Sequence, residues 1–401
     1  MFPGQGSQIP GMGQDLYHAD PQARRLYRTA SDVLGYDLVR ACEDRNGELS
    51  DTSVVQPALV VHSIACWTLL SRGLTEPPVV FAGHSLGEIS ALVGAGALAF
   101  EAAVVLAARR GRLMADCPAG QMTAVIGLPV EDVQHVLAVE VRGVVAVANR
   151  NSREQCVISG EAGALDAAEA ALVARGAAVK RLRVSVAAHS PLMRPAVDGL
   201  AAAIEQAAIG DAAVPVVSSC GGEVRSDAAG LADSLRRQLT GCVDWPRTVE
   251  SMTALGAGGL LEVGPKNVLR DLTRIDFADV DAWSCGTVQS IRVVSAALAD
   301  ADQRRPAADL ESFLLAGLRL AVGTPDHGAL SDEAFASEVR APYSWMTEKL
   351  DAVRAGLVPD PGEALDAAVA EVGRLLCGKG FTAHQSQDAI TRAMAGTETE
   401  S

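Results

Sequence analysis

Gly83-His84-Ser85-Leu86-Gly87 is a G-x-S-x-G run. The apolar stretch Pro77–Ala82 before it reads as a buried strand, and an apolar helical pattern begins at Glu88. Between a strand and a helix, such a run is a nucleophile elbow. Its two glycines let a strained turn pass without Cβ clashes. The serine is thrust out at the strand end. The next helix aims its first N–H groups at any oxyanion formed there, with the Leu86 N–H as the natural donor. Taken without its flanks, the run fits a tight turn whose serine merely caps a helix. With them, the chemistry indicated is that of a serine nucleophile.

A serine nucleophile needs a base, and in hydrolase-like sheets the histidine follows the serine in the chain. His135, His189, His327 and His384 qualify. His189 stands in Ala187-Ala188-His189-Ser190-Pro191, where a strand Val179–Val186 gives way to a helix. Loops leaving strand ends are where catalytic side chains project, although a surface loop histidine fits the same residues. Arg109, Arg110 and Arg112 crowd the end of a helical pattern Glu101–Met114. A guanidinium grips a carboxylate through two parallel hydrogen bonds, so one of the three turned into a cleft would hold a carboxylate. The plainer reading is three solvated cations suited to a helix C-terminus.

The elements around these residues alternate. Helical patterns Ser31–Cys42 and Pro57–Leu70 precede the elbow strand. Residues 121–186 change rhythm to β-α-β-β-α-β: Met122–Gly127, Val130–Ala138, Gly143–Asn149, Gln155–Ser159, Ala164–Arg175 and Val179–Val186. That is the pattern of a ferredoxin-like unit. Larger alternation then resumes through Pro195–Ala208, Val214–Ser218, Ala228–Leu239, Trp245–Leu255 and Gly259–Val263. The fold class expected is α/β, with a mostly parallel sheet interrupted by the insertion. The domains expected are 1–120 with 187–300, then 121–186, then a helical extension 301–401. In that extension Leu310, Phe313, Leu314 and Leu318 fall at helical spacing, as do Leu365, Val369, Val372 and Leu376, with Gly378 as a cap.

The chain has 401 residues, of which 49% are hydrophobic and 21% charged, as in a folded globular protein. Its net charge of −15 disfavours a non-specific nucleic-acid binder, which needs a basic surface. The longest uncharged stretch around the apolar middle, Ile89–Phe100, is short of the ~20 residues that cross a bilayer, so no membrane partner is expected. The eight cysteines include no C-x-x-C, and the closest two, Cys220 and Cys242, are 22 apart. Reduced thiols, a cytoplasmic location and no metal site follow as expectations.

Five segments together carry a resemblance. They are Phe2-Pro3-Gly4-Gln5-Gly6-Ser7-Gln8; Gly83–Glu88; Arg110-Gly111 with Met114; Ser185-Val186 with His189; and Val263-Gly264-Pro265 with Val268-Leu269. In this order, over roughly residues 1–300, they resemble the malonyl-CoA:acyl carrier protein transacylases and the acyltransferase domains of polyketide synthases. The resemblance implies a large α/β-hydrolase-like subdomain with the ferredoxin-like insertion. It also implies that Ser85 is the nucleophile and His189 its base, with the N–H groups of Gln5 and Leu86 as the oxyanion hole. Arg110 would hold the free carboxylate of a malonyl-type group, and Gln56 would lie near the substrate pocket. The reaction implied is ping-pong transfer from CoA to the phosphopantetheine thiol of an acyl carrier protein, in fatty acid or polyketide biosynthesis, by a monomer without a cofactor.

The chain also departs from that family. Members usually carry an apolar strand before the Pro3 loop, where this chain has Met1 and Phe2. Members place a histidine-orienting glutamine before an aromatic. Here that position is Asp244, before Trp245, so Asp244 is expected to orient His189 through its carbonyl or its carboxylate. Leu86 is commoner in malonyl-selective members, whereas the small Ala188 leaves room for a non-malonyl extender. Residues 301–401 have no counterpart. The other readings are an editing acyl-thioester hydrolase and a silent docking protein. Arg110 argues against the first, and the retention of both Ser85 and His189 against the second. Lys180, Arg181, Arg183, Lys266 and Arg270 are the expected basic patch for an acidic carrier.

Overall fold

The computed structural model describes residues 1–74, 76–182, 184, 186–323 and 331–394; Arg183, Ser185 and His327 lie outside them. Two compact units form, Met1–Ser295 and Ala296–Ser401.

In the first unit, strand Phe81–Ala82 pairs in parallel with Val216–Val217, which pairs antiparallel with Val224–Arg225. Gly259–Val263 pairs in parallel with Asp281–Cys285. Met1 and Phe2 stitch these pieces together. The Phe2 N–H donates to Ala82 O at 2.9 Å, and the Val263 N–H donates to Met1 O at 2.9 Å. The elbow strand is shorter than its apolar run because Pro77 and Pro78 have no N–H to give a ladder.

Helix Thr52–Leu70, capped by the Asp51 carboxylate on Ser53 N, is buried at every position from Val55 to Cys66. The span Thr52–Gly73 is long and apolar enough to cross a membrane by length and composition, and 72% of an 18-residue window within it is buried inside the protein. The expectation drawn from Ile89–Phe100 therefore missed a longer uncharged run. Its burial against protein on all sides explains why it has no polar face. The helix expected over Ser31–Cys42 is two helices, Pro21–Leu34 and Leu38–Cys42. Gly35, at φ 78°, ends the first, and the Asp37 carboxylate caps the second.

The strands Gln121–Ile126, Val145–Ser152, Gln155–Gly160 and Ala178–Arg181 form one antiparallel sheet in the spatial order fourth, first, third, second. Helices Val130–Glu140 and Ala162–Val173 cover it through Val133, Val136, Leu165 and Leu172. This is the ferredoxin-like arrangement. The last strand stops at Arg181 rather than Val186. A fifth strand, Val243–Asp244 from the larger part, joins in parallel at Asn149–Arg150 and ties the insertion to the sequence around it.

In the second unit, residues Leu310, Phe313, Leu314, Met346, Leu350, Val372, Leu376 and Ile390 share a core. They come from helices Val288–Gly323, Ala341–Arg354, Pro361–Gly378 and Ala383–Met394. The division at Ser295 falls within the first of these helices, ahead of the expected 301. Gly378 is not a cap. It lies inside its helix, where a Cβ would stand 2.9 Å from Glu338 Cβ, and the left-handed residue is Gly380 at φ 89°.

Candidate active site

Ser85 adopts φ 52°, the strained conformation of an elbow. Only glycine fits at either side. A Cβ on Gly83 would lie 2.0 Å from the Gly87 carbonyl carbon, and one on Gly87 would lie 2.0 Å from Phe2 O. A Cβ on Gly4 would lie 2.5 Å from His84 O, so the Pro3–Gln8 loop rests directly on the elbow. Gln5 is the next residue of that loop, and Leu86 follows Ser85 in the elbow. The backbone N–H groups of both are without a protein acceptor among the described residues.

Ser85 Oγ is 2.7 Å from His189 Nε2, and His189 Nδ1 is 2.8 Å from the main-chain oxygen of Gln238. A carbonyl can only accept, so Nδ1 carries the proton and Nε2 presents its lone pair to the serine hydroxyl. His189 is buried at φ 58°. Burial first, and the Arg110 charge second, push its pKa down to about 3, so the ring is a neutral base. Asp244 does not orient it. The Asp244 carboxylate caps helix Trp245–Ala254, accepting from Arg247 N at 3.1 Å. His135 lies on an exposed helix face, and His384, 88% exposed, faces Asp388.

Of the three clustered arginines, Arg110 alone turns inward. It is 4% exposed. Its Nη1 donates to Gln56 Oε1 at 2.8 Å, and its Nη2 to Gln238 Oε1 at 3.0 Å and to Ser85 Oγ at 3.1 Å. Burial lowers its pKa to about 10, which leaves it a cation at neutral pH. Arg109 bonds Gln206 outside, and Arg112 is exposed. Gln56 reaches Arg110 because Gly111 lets two helices close up: a Cβ there would lie 2.4 Å from Thr52 O. Thr52 Oγ1 accepts from Gln56 Nε2 at 3.0 Å and donates to Gln5 Oε1 at 3.0 Å, which links the expected substrate and oxyanion residues in one chain.

Three groups were missed in the sequence: Gln238, the buried carboxylate Glu88, and Asn151. Asn151 Oδ1 is 3.2 Å from His84 Nε2 and joins the insertion to the elbow. Glu88 belonged to the quoted elbow segment but carries no signal of its own, and Gln238 lies in no motif. Of the expected basic patch, Lys180 is exposed and Lys266 Nζ donates to Gly6 O at 2.9 Å. Arg181 is engaged with Asp166 and Glu169, and Arg270 with Asp271.

The pattern of the acyl transferase domain matches residues 1–294. The chain belongs to the acyl transferase family. It is 39% identical over 306 residues to the malonyl CoA-acyl carrier protein transacylase of Salmonella typhimurium, across 74% of this chain and 97% of that protein. It is 38% identical to the Escherichia coli K12 protein of the same name, across 74% and 97%. Among solved structures, the acyl carrier protein S-malonyltransferase of Vibrio cholerae superposes with a TM-score of 0.70 at 38% identity, covering 73% of this chain and 98% of that one. A malonyl-transacylase solved in complex with a type II PKS acyl-carrier protein gives 0.70 at 39% identity, covering 73% and 96%. The family match ends one residue short of Ser295, where the first compact unit of this acyl transferase ends.

Proposed function

We propose that this acyl transferase moves a malonyl group from CoA to the phosphopantetheine thiol of an acyl carrier protein. The observation that carries the reading is a buried guanidinium 3.1 Å from the nucleophilic oxygen. A malonyl thioester has its carboxylate one methylene from the carbonyl under attack, so the anchor must sit beside the nucleophile.

Ser85 Oγ attacks the thioester carbon as its proton passes to His189 Nε2. The His189 Nδ1–H keeps its bond to Gln238 O throughout. The oxyanion accepts from the Gln5 and Leu86 N–H groups, each such donor contributing ~3–4 kcal/mol to the transition state. Collapse breaks the C–S bond, CoA leaves with the proton from His189, and the malonyl ester stays on Ser85. The carrier thiol then gives its proton to His189 and attacks the ester, and Ser85 recovers its proton on release. Acyl passes from sulfur to oxygen to sulfur with no electron transferred, so the scheme uses no metal or redox cofactor. The cysteine spacing supports a cytoplasmic setting.

The test is labelled malonyl-CoA with carrier protein, scored for malonyl-carrier, free malonate or neither. Malonyl-carrier is the expected product. In Arg110→Ala, malonyl loading should fall by 10²-fold or more, roughly the cost of leaving a carboxylate unpaired in a dry site. A wild type that prefers acetyl-CoA would overturn the substrate assignment.

A further inference from the structure

One residue touches the nucleophile, the base and the arginine of this site. The main-chain oxygen of Gln238 holds His189 Nδ1 at 2.8 Å. Its side chain is 1% exposed and spans Arg110 and Glu88. Gln238 Oε1 accepts from Arg110 Nη2 at 3.0 Å. Gln238 Nε2 lies 2.9 Å from Ser85 O, 3.0 Å from Glu88 Oε2 and 3.0 Å from Ser219 Oγ.

The amide could sit in either of two orientations, and the surroundings allow one. The Glu88 oxygens accept from the groups around them. Oε2 already takes the Ser219 N–H at 3.0 Å and the Ser219 hydroxyl at 2.7 Å, and Ser85 offers a carbonyl beside it. These acceptors require the NH2 end of Gln238 on their side. The oxygen end must then face Arg110, which only donates. A flipped amide would set its oxygen against the Glu88 and Ser85 oxygens and its NH2 against the guanidinium.

We propose that Gln238 is a positioning residue for Arg110, and that Glu88 fixes its polarity, so that the Glu88–Gln238–Arg110 line sets selectivity for a carboxylated acyl group. The proposal rests on the malonyl reading and deepens it. Arg110 keeps five donors, and Gln56 and Gln238 hold two of its edges. The plane of the guanidinium is thereby fixed before substrate arrives, which is what a bidentate grip on a carboxylate needs. Losing the Gln238 side chain leaves the charge in place and frees the plane.

The measurement is kcat and KM for malonyl-CoA and for acetyl-CoA, with carrier protein at saturation, in wild type, Gln238→Met and Glu88→Leu. Gln238→Met keeps the main-chain oxygen that holds His189. We expect its malonyl kcat/KM to fall at least tenfold, mainly through KM, and the malonyl-to-acetyl ratio to fall with it. Glu88→Leu, which removes one of the three acceptors that hold the NH2 end of Gln238, should lower the same ratio. Glu88→Gln retains an acceptor at the Oε2 position and should restore it to within threefold of wild type.

A ratio unchanged in both Gln238→Met and Glu88→Leu would overturn the proposal, as would equal losses on the two substrates. Thermal unfolding of each variant is recorded alongside. If neither variant folds, the network is structural and the proposal is wrong. A wild type that does not prefer malonyl-CoA would instead sink the parent reading, a separate result from a selective wild type with indifferent variants.

Discussion

At the scale of residues, the site rests on a neutral histidine and a charged arginine in the same dry space. Ser85→Ala should leave no malonyl adduct, a loss of roughly 10³-fold or more in loading, read by mass spectrometry of the peptide carrying Ser85. An adduct on another residue would show that the nucleophile is misassigned. The pH dependence has a defined sign. His189 and His62 ionise in the folded protein near 3 and near 4, each held down mainly by burial, against an ordinary 6.5. Between those values the unfolded chain binds protons that the folded chain refuses, so stability rises with pH and is lost as pH falls from about 6.5 toward 3. Each group contributes a slope of about 1.4 kcal/mol per pH unit. Urea unfolding of His189→Asn between pH 6 and 4 should show a slope lower than wild type by about that amount. An identical slope would mean that His189 is not neutral in the fold.

Elements position these residues through close backbone approach, and this decides what the sequence discloses. Gly83, Gly87 and Gly4 occur where one backbone meets another within Cβ reach, so the elbow and its supporting loop are written as residue identities. His189 was readable for a related reason, since its side chain does the work. The orienting carbonyl of Gln238 was not readable, because every residue carries a carbonyl and only the path of the chain selects one. Asp244 drew the eye through its neighbour Trp245 and proved to be a helix cap. Strand lengths were overestimated where Pro77 and Pro78 lengthen an apolar run without adding a ladder. Gly111 yields a test at this scale. Its Cβ would press on Thr52 O, and Gly111→Ala should cost about 1–3 kcal/mol of stability by forcing two buried helices apart. It should also weaken malonyl loading through Gln56, whose bond to Arg110 depends on that spacing. Unchanged denaturation and kinetics would show that the helices yield freely.

In the whole molecule, the ordering of the parts matters more than their number. The ferredoxin-like order of strands was legible from the rhythm of residues 121–186, while the strand that ties it back, Val243–Asp244, was too short to see. Every group assigned to the chemistry lies before Asp244, and the second compact unit begins at Ala296. A chain ending at Ser295 should therefore load malonyl within about threefold of the full protein, measured on material whose circular dichroism shows it folded. A folded truncation that cannot load would assign the helical unit a part in catalysis.

The acceptor for His189 Nδ1 is an uncharged main-chain oxygen. Genetic change can delete a carboxylate in the third position of a triad, but it cannot delete a peptide carbonyl. Any codon at position 238 that preserves the path of the backbone inherits this support for the base. A saturation screen at 238 would thus grade substitutions by what they do to acyl-group preference and would leave the histidine's anchor unseen. Position 238 can therefore change its side chain without removing the base's anchor, whereas Arg110, bonded to Ser85 Oγ, cannot change without touching the nucleophile.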